Sequence, residues 1–254
     1  MAEIRLSRRR GLTFGTSIVD NKNGVYLLGV SKPSSPTLNV FEISAPGRDG
    51  EQLIPDKYFN KEITATIGIY HENIVTRRSI QRSITRGLLG KTDKLYFHDE
   101  PTLFHIGKVC DEITETENDF MTELEVKFRC KPFIYEVPSN GPYKWEGVTG
   151  IVNSKIINDG NFDAKPVIHI TGSATNVSVT ISNYEFTIKD LVDEVYIDTE
   201  NMNVYKHVDG ILTPIVSTFS GAFPIIPMGE NDIKISGVEH NVSVFVDFLN
   251  TYIC

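Results

Sequence analysis

Thr122-Glu-Leu-Glu-Val-Lys-Phe-Arg-Cys130 alternates without a slip: apolar side chains at 124, 126, 128 and 130, charge at 123, 125, 127 and 129. Side chains of an extended chain point to opposite faces in turn, so this stretch reads as a strand with one face buried and the other wet. The neighbouring sequence repeats the theme. Glu62-Ile-Thr-Ala-Thr-Ile-Gly-Ile-Tyr70 is rich in β-branched residues with apolar side chains at 63, 65, 67 and 69, and Lys94–Phe97 and Phe104–Val109 add two shorter strands. Thr37–Ile43 alternates with a slip that suggests a bulge, and Pro46-Gly-Arg-Asp-Gly50 behind it is a tight reversal. Lys32-Pro-Ser-Ser-Pro36 reads as an extended arm or loop.

One helix interrupts these strands. Between Asn73 and Leu89, Ile80, Ile84 and Leu88 recur every four residues, with Arg78, Arg82 and Arg86 on an adjacent face and Gly90 as a stop signal. Arg77 and these three arginines have few acidic neighbours in sequence, so the helix is either a solvated face or a contact surface.

Beyond residue 138 the character of the chain changes. The 254 residues carry a net charge of -8. Residues 1–138 hold 19 basic and 19 acidic residues and 139–254 hold 6 and 14, so the whole excess lies in the second part, and all ten arginines lie at or before Arg129. The change falls at Pro138-Ser-Asn-Gly-Pro142, and the expected domains are 1–138 and 139–254. The second part reads as seven short strands (167–170, 177–181, 185–188, 194–198, 203–205, 232–236 and 242–248). Turn signals stand at Asn158-Asp-Gly160, Gly172-Ser173, Ser182-Asn183, Asp209-Gly210 and Gly229-Glu-Asn231. The expected fold is mainly β: a β-sandwich-like N-terminal domain with one α-helix and an extended arm or hairpin, then an antiparallel β-sandwich.

Little catalytic chemistry is legible. There is no His-Glu-x-x-His, Gly-x-Ser-x-Gly, Walker loop or strand-borne Gly-x-Gly-x-x-Gly. The six histidines are isolated, and His169, inside an apolar strand, reads as structural. Asp193/Glu194 and Asp198/Glu200 are the carboxylate pairs a glycosidase would need, but Asp198-Thr-Glu-Asn201 reads more simply as a turn. Cys110, Cys130 and Cys254 are too scattered for a disulfide framework. The acidic balance excludes a generally basic nucleic-acid binder, no run of about 18 apolar residues spans a bilayer, and the start lacks a secretory signal. No catalytic residue, metal or cofactor is expected.

An early strand, then Ala45–Gly50, a strand ending Ile67-Gly-Ile-Tyr70, a helix, and Leu95-Tyr-Phe-His-Asp-Glu-Pro101 together resemble the N-terminal domain of siphophage distal tail proteins. Phe128–Tyr135 is similar to that family's closing strand. Ile157–Ile168, Val195-Tyr-Ile-Asp-Thr199 and Phe223–Asn231 are similar to its galectin-like C-terminal domain. The resemblance implies a structural virion protein at the distal tip of a long non-contractile tail, made in the host cytoplasm. It would form a ring, usually a hexamer, with the tail tube on one side, the hub or fibre protein on the other and a channel for DNA in transit. Arg48, Arg77, Arg78, Arg82 and Arg86 are then the candidate ring or tail-tube contacts, more suited to protein contacts than to a lumen, where arginine would hold phosphates. The rival reading is a carbohydrate-binding module contacting the host wall, with Tyr184, Phe186, Tyr196 and Tyr205 either as its platform or as sandwich core.

Overall fold

The structure, a computed structural model, describes residues 11–253 apart from 45 and 48, and excludes the side chains of 237–240. It divides into two compact units, the first running to Tyr135 and the second spanning Glu136–Tyr252, against the boundary at 138 expected from composition. Both are mainly β, and α1 is the one α-helix among the described residues.

The first unit comprises β1 (Leu12–Phe14), β2 (Ser17–Val19), β3 (Val25–Ser31), β4 (Leu38–Ile43), β5 (Gln52–Tyr58), β6 (Lys61–Tyr70), α1 (Ile74–Leu88), β7 (Thr92–Phe97), β8 (Glu100–Lys108), β9 (Thr114–Glu117), β10 (Met121–Cys130) and β11 (Ile134–Glu136). The main sheet runs β2-β1-β7-β8-β10-β6-β3, with β9 added to β10 and β11 to β8. The two strongest strands of the sequence pair with each other, antiparallel, from Met121↔Tyr70 to Cys130↔Lys61. Register places Leu124 opposite Ile67, Val126 opposite Ala65 and Phe128 opposite Ile63, all fully buried. Burial of each such large side chain stabilises by about 1.5–3 kcal/mol, so a one-residue slip, which would turn the whole row to water, is excluded. Phe14 closes this core edge-on against Phe128, ring centroids 5.2 Å apart.

The helix begins where the side chain of Asn73 accepts hydrogen bonds from the Val75 and Thr76 amides at 2.8 and 3.3 Å. It ends at Leu88, before Gly90, and packs Leu88, Ile80 and Ile84 toward the core. β4 and β5 form a separate two-stranded sheet whose register shifts between Leu38 and Val40, the bulge expected from the slip.

The second unit corrects the picture of seven short strands. Its strands are β12 (Tyr143–Asn158), β13 (Val167–Ile181), β14 (Tyr184–Asp198), β15 (Asn203–Val208), β16 (Ile211–Pro214), β17 (Phe219–Gly221) and β18 (Gly229–Asp247). Their order is β12-β18-β13-β14-β15-β16, with β17 on β14. Segments 167–170 and 177–181 are one strand, as are 185–188 with 194–198 and 232–236 with 242–248. Gly172 bends β13 instead of reversing it. Its φ is +126°, and a Cβ there would meet the Asn241 carbonyl oxygen at 2.7 Å, so only glycine lets the strands cross so closely. Asp190 and Asp193, with φ of 51° and 67°, supply the matching kinks in β14. Both halves of the long strands then bury alternate residues, Ile168, Ile170, Val177, Val179, Ile188, Val195 and Ile197 among them, in one core. Asp209-Gly210, both at positive φ, make the two-residue hairpin β15–β16 as read. Trp145, placed in a linker by sequence, stands on β12, stacked on Tyr143 at 6.3 Å.

Candidate assembly surface

The helix arginines divide into two groups. Arg77 is 2% exposed. Its guanidinium donates to the Asp119 carbonyl at 3.1 Å and to Glu117 Oε1 at 3.4 Å, while Arg78 donates to Glu117 Oε2 at 3.2 Å. Gln81 donates to Glu115. Glu115 and Glu117 lie on β9, whose whole stretch Thr-Glu-Thr-Glu is exposed. The Arg78 guanidinium, with Arg77 behind it, holds the Glu117 carboxyl below its ordinary value. Arg77 and Arg78 therefore rivet the helix to the β9–β10 hairpin of their own chain. Arg82 and Arg86 are exposed and make no ion pair among the described residues. Arg48 lies outside the described residues. The acidic partners on β9 escaped the sequence reading because an exposed strand carries no apolar period, although Thr-Glu-Thr-Glu was there to be read.

A second surface was only half visible in sequence. The β4–β5 hairpin stands apart from the main sheet, with Phe41 and Leu53 57% and 59% exposed and Ile43 50% exposed. Phe41 lies opposite Ile54, and Val40 opposite Pro55, so both faces of the ribbon carry apolar groups. At the root of the hairpin Tyr58 lies edge-on to Phe133 at 5.4 Å, and Asn39 donates to Asp56 at 2.8 Å between its two strands. Two strands alone are marginal in water, and an apolar ribbon of this kind marks a contact surface.

On the second unit a transverse row crosses four strands in register: Phe245 on β18, His169 on β13, Tyr196 on β14 and Tyr205 on β15. Their rings stack face to face, His169 to Tyr196 at 4.1 Å and 5°, Tyr196 to Tyr205 at 5.3 Å and 7°, His169 to Phe245 at 5.5 Å. Lys144 covers the outer face of Phe245 at 5.8 Å. Glu194 accepts from His169 at 3.3 Å and from the ring and backbone of His207 at 3.2 Å. Burial alone would raise the Glu194 carboxyl, but these hydrogen bonds carry it below its ordinary value. Tyr196 and Tyr205 thus sit half-buried in this stacked row. Phe186 is core. Asp198 accepts from the Asn201 backbone at 3.0 Å and side chain at 2.7 Å, the turn role read for it. Among the described residues no three His, Cys, Asp or Glu side chains are grouped to hold a metal ion.

Residues 20–130, nearly the whole first unit, match the family model of the phage tail protein RIFT-related domain. The first unit is similar to that phage tail domain over this stretch. Both units together match the Dit protein of SPP1, described as a paradigm of the hub adsorption apparatus in phages infecting Gram-positive hosts. The TM-score is 0.66 at 12% identity, over 94% of this chain and 98% of that one. They also match structures of the phage p2 baseplate in its activated conformation, with strontium (TM-score 0.53, 11% identity, 93% and 97% covered) and with calcium (0.52, 10%, 94% and 98%). No curated protein matches the sequence. The fold of the two units is similar to that of the SPP1 Dit protein, and no described helix is long and apolar enough to cross a membrane.

Proposed function

We propose that the chain is a distal tail protein whose first unit closes into a ring, hexameric in the simplest reading, between the tail tube and the tip or hub proteins. DNA would pass through its centre, and the acidic second unit would lie outward. The observation that carries this reading is the uncovered apolar hairpin β4–β5 on a unit similar to a phage tail domain. A closing ring is a head-to-tail contact, so each protomer presents two different complementary surfaces, and the hairpin supplies one of them. Charge supports the arrangement. A nearly balanced unit tolerates close packing with its copies, whereas second units with 6 basic and 15 acidic residues repel and favour the periphery. Arg82 and Arg86, exposed and without an ion pair among the described residues, are the helix residues that remain for ring or tail-tube contacts.

Light scattering on the purified full chain, with negative-stain images of the same sample, tests the proposal. A mass of several protomers and particles with a central hole are expected. A chain that stays monomeric at its highest soluble concentration overturns it.

A further inference from the structure

The ring reading leaves open where the hairpin of one protomer lands. The first unit carries a groove of about 340 Å³ that answers this. One wall is β3, with Leu27, Leu28 and Val30, and the other carries Phe97, while Lys32 and Asp99 stand at the rim. β3 ends the sheet path, paired with β6 on one side, so among the described residues its other edge offers unpaired backbone groups. The register shift between Leu27 and Gly29 bulges that edge. Lys32 lies over the Phe97 ring at 5.1 Å and reaches Glu100 at 3.0 Å, both partners being partly exposed, so this cover is held only by a surface ion pair.

We infer that this groove is the acceptor for the β4–β5 hairpin of a second copy of the chain, with the face formed by Phe41, Ile43 and Ile54 entering against Leu28, Val30 and Phe97. The inference rests on the ring reading and names the surface that receives the contact. Three properties match. The hairpin carries exposed apolar side chains that nothing among the described residues covers, and the groove is open and offers Leu28, Val30 and Phe97 between polar rims. An exposed ribbon edge meets an exposed sheet edge, which supplies main-chain hydrogen bonds as well as burial. Glu42, beside Phe41, replaces Glu100 as the partner of Lys32 when that side chain swings off Phe97. The two surfaces lie at different places on one protomer, as a closing head-to-tail contact requires.

Complementation of two full-length variants tests it. Phe41→Asp spoils the hairpin and Val30→Asp spoils the groove; both positions are exposed, so each variant keeps the wild-type melting temperature. Each alone runs as a monomer in gel filtration, and an equimolar mixture forms a heterodimer through the one intact hairpin and the one intact groove. A second measurement pairs Phe41→Cys with Val30→Cys in a chain lacking Cys110 and Cys254 (C110S, C254S). Oxidation gives a ladder of covalent multimers on a non-reducing gel. If wild type forms rings but the mixture stays monomeric and no ladder appears, the groove is not the acceptor while the ring reading survives. A disulfide formed within single chains shows that the hairpin folds back onto its own groove and overturns the inference. If wild type is monomeric, both readings fall together.

Discussion

Two buried residues of the first unit carry sharply different chemistry. His105 is 3% exposed, its Nδ1 has no hydrogen-bond partner, and burial, aided by the charges of Lys61 and Lys32, lowers its pKa to about 3 from 6.5. Above 6.5 both folded and unfolded chains hold it neutral and it adds no pH dependence. As pH falls from 6.5 toward 3 the unfolded chain binds a proton that the folded chain refuses, which costs about 1.4 kcal/mol per pH unit. Denaturant titrations of wild type and His105→Leu between about pH 7 and about pH 4.5 should show a steeper loss in wild type by about 2 kcal/mol; parallel curves would refute the assignment. Arg77, by contrast, is a buried cation satisfied mainly by Glu117 and the Asp119 carbonyl. Since Glu117 is partly exposed, Arg77→Ala should destabilise by about 2–3 kcal/mol, less than a fully buried pair would lose. Arg82→Glu, on the exposed turn, should change stability by no more than about 0.5 kcal/mol while weakening self-association, a combination that chemical unfolding and light scattering separate.

At the level of elements, the helix depends on its first turn. Asn73 satisfies two amides that otherwise have no partner, so Asn73→Ala should cost about 1 kcal/mol by chemical unfolding. The β4–β5 hairpin should show the opposite behaviour to the helix in hydrogen exchange. Its amides exchange rapidly in a dissociated chain and gain protection only on association, whereas β6 and β10 stay protected in both states. Equal protection of the hairpin before and after dilution would refute its role as a contact. The sequence was most legible where one face is buried and the other wet, as in β6, β10 and the Ile80, Ile84, Leu88 stripe of α1. It was least legible where that contrast vanishes. β5 and β9 are exposed on both faces, so no apolar period marks them, and β12 begins directly after a Gly-Pro that reads as linker. Gly172 was misread for a different reason: the same freedom that allows a reversal allows a close crossing, and local sequence does not distinguish them. Of the arginines, sequence could place them on one helix but not tell which would turn inward, because the carboxylate that draws Arg77 inward lies 40 residues away.

On the scale of the molecule, each unit has its own hydrophobic core, and the two cores answer to different conditions. Calorimetry should resolve two transitions. The one belonging to the first unit should rise with protein concentration, since association stabilises what it binds, and should fall on acidification through His105. The other should be independent of protein concentration, and on acidification should lose only what the Glu194 carboxyl, held below its ordinary value, contributes. Swapped behaviour would contradict the assignment of self-association to the first unit. The second unit has a further property that follows from β13, β14 and β18 each running through both halves of its core. With these three strands common to both halves, the halves share their backbone and do not peel apart along a seam. Traction applied to this unit would therefore meet a single yield point instead of a gradual give, and the unit would carry a pull undiminished up to the moment it fails as a whole.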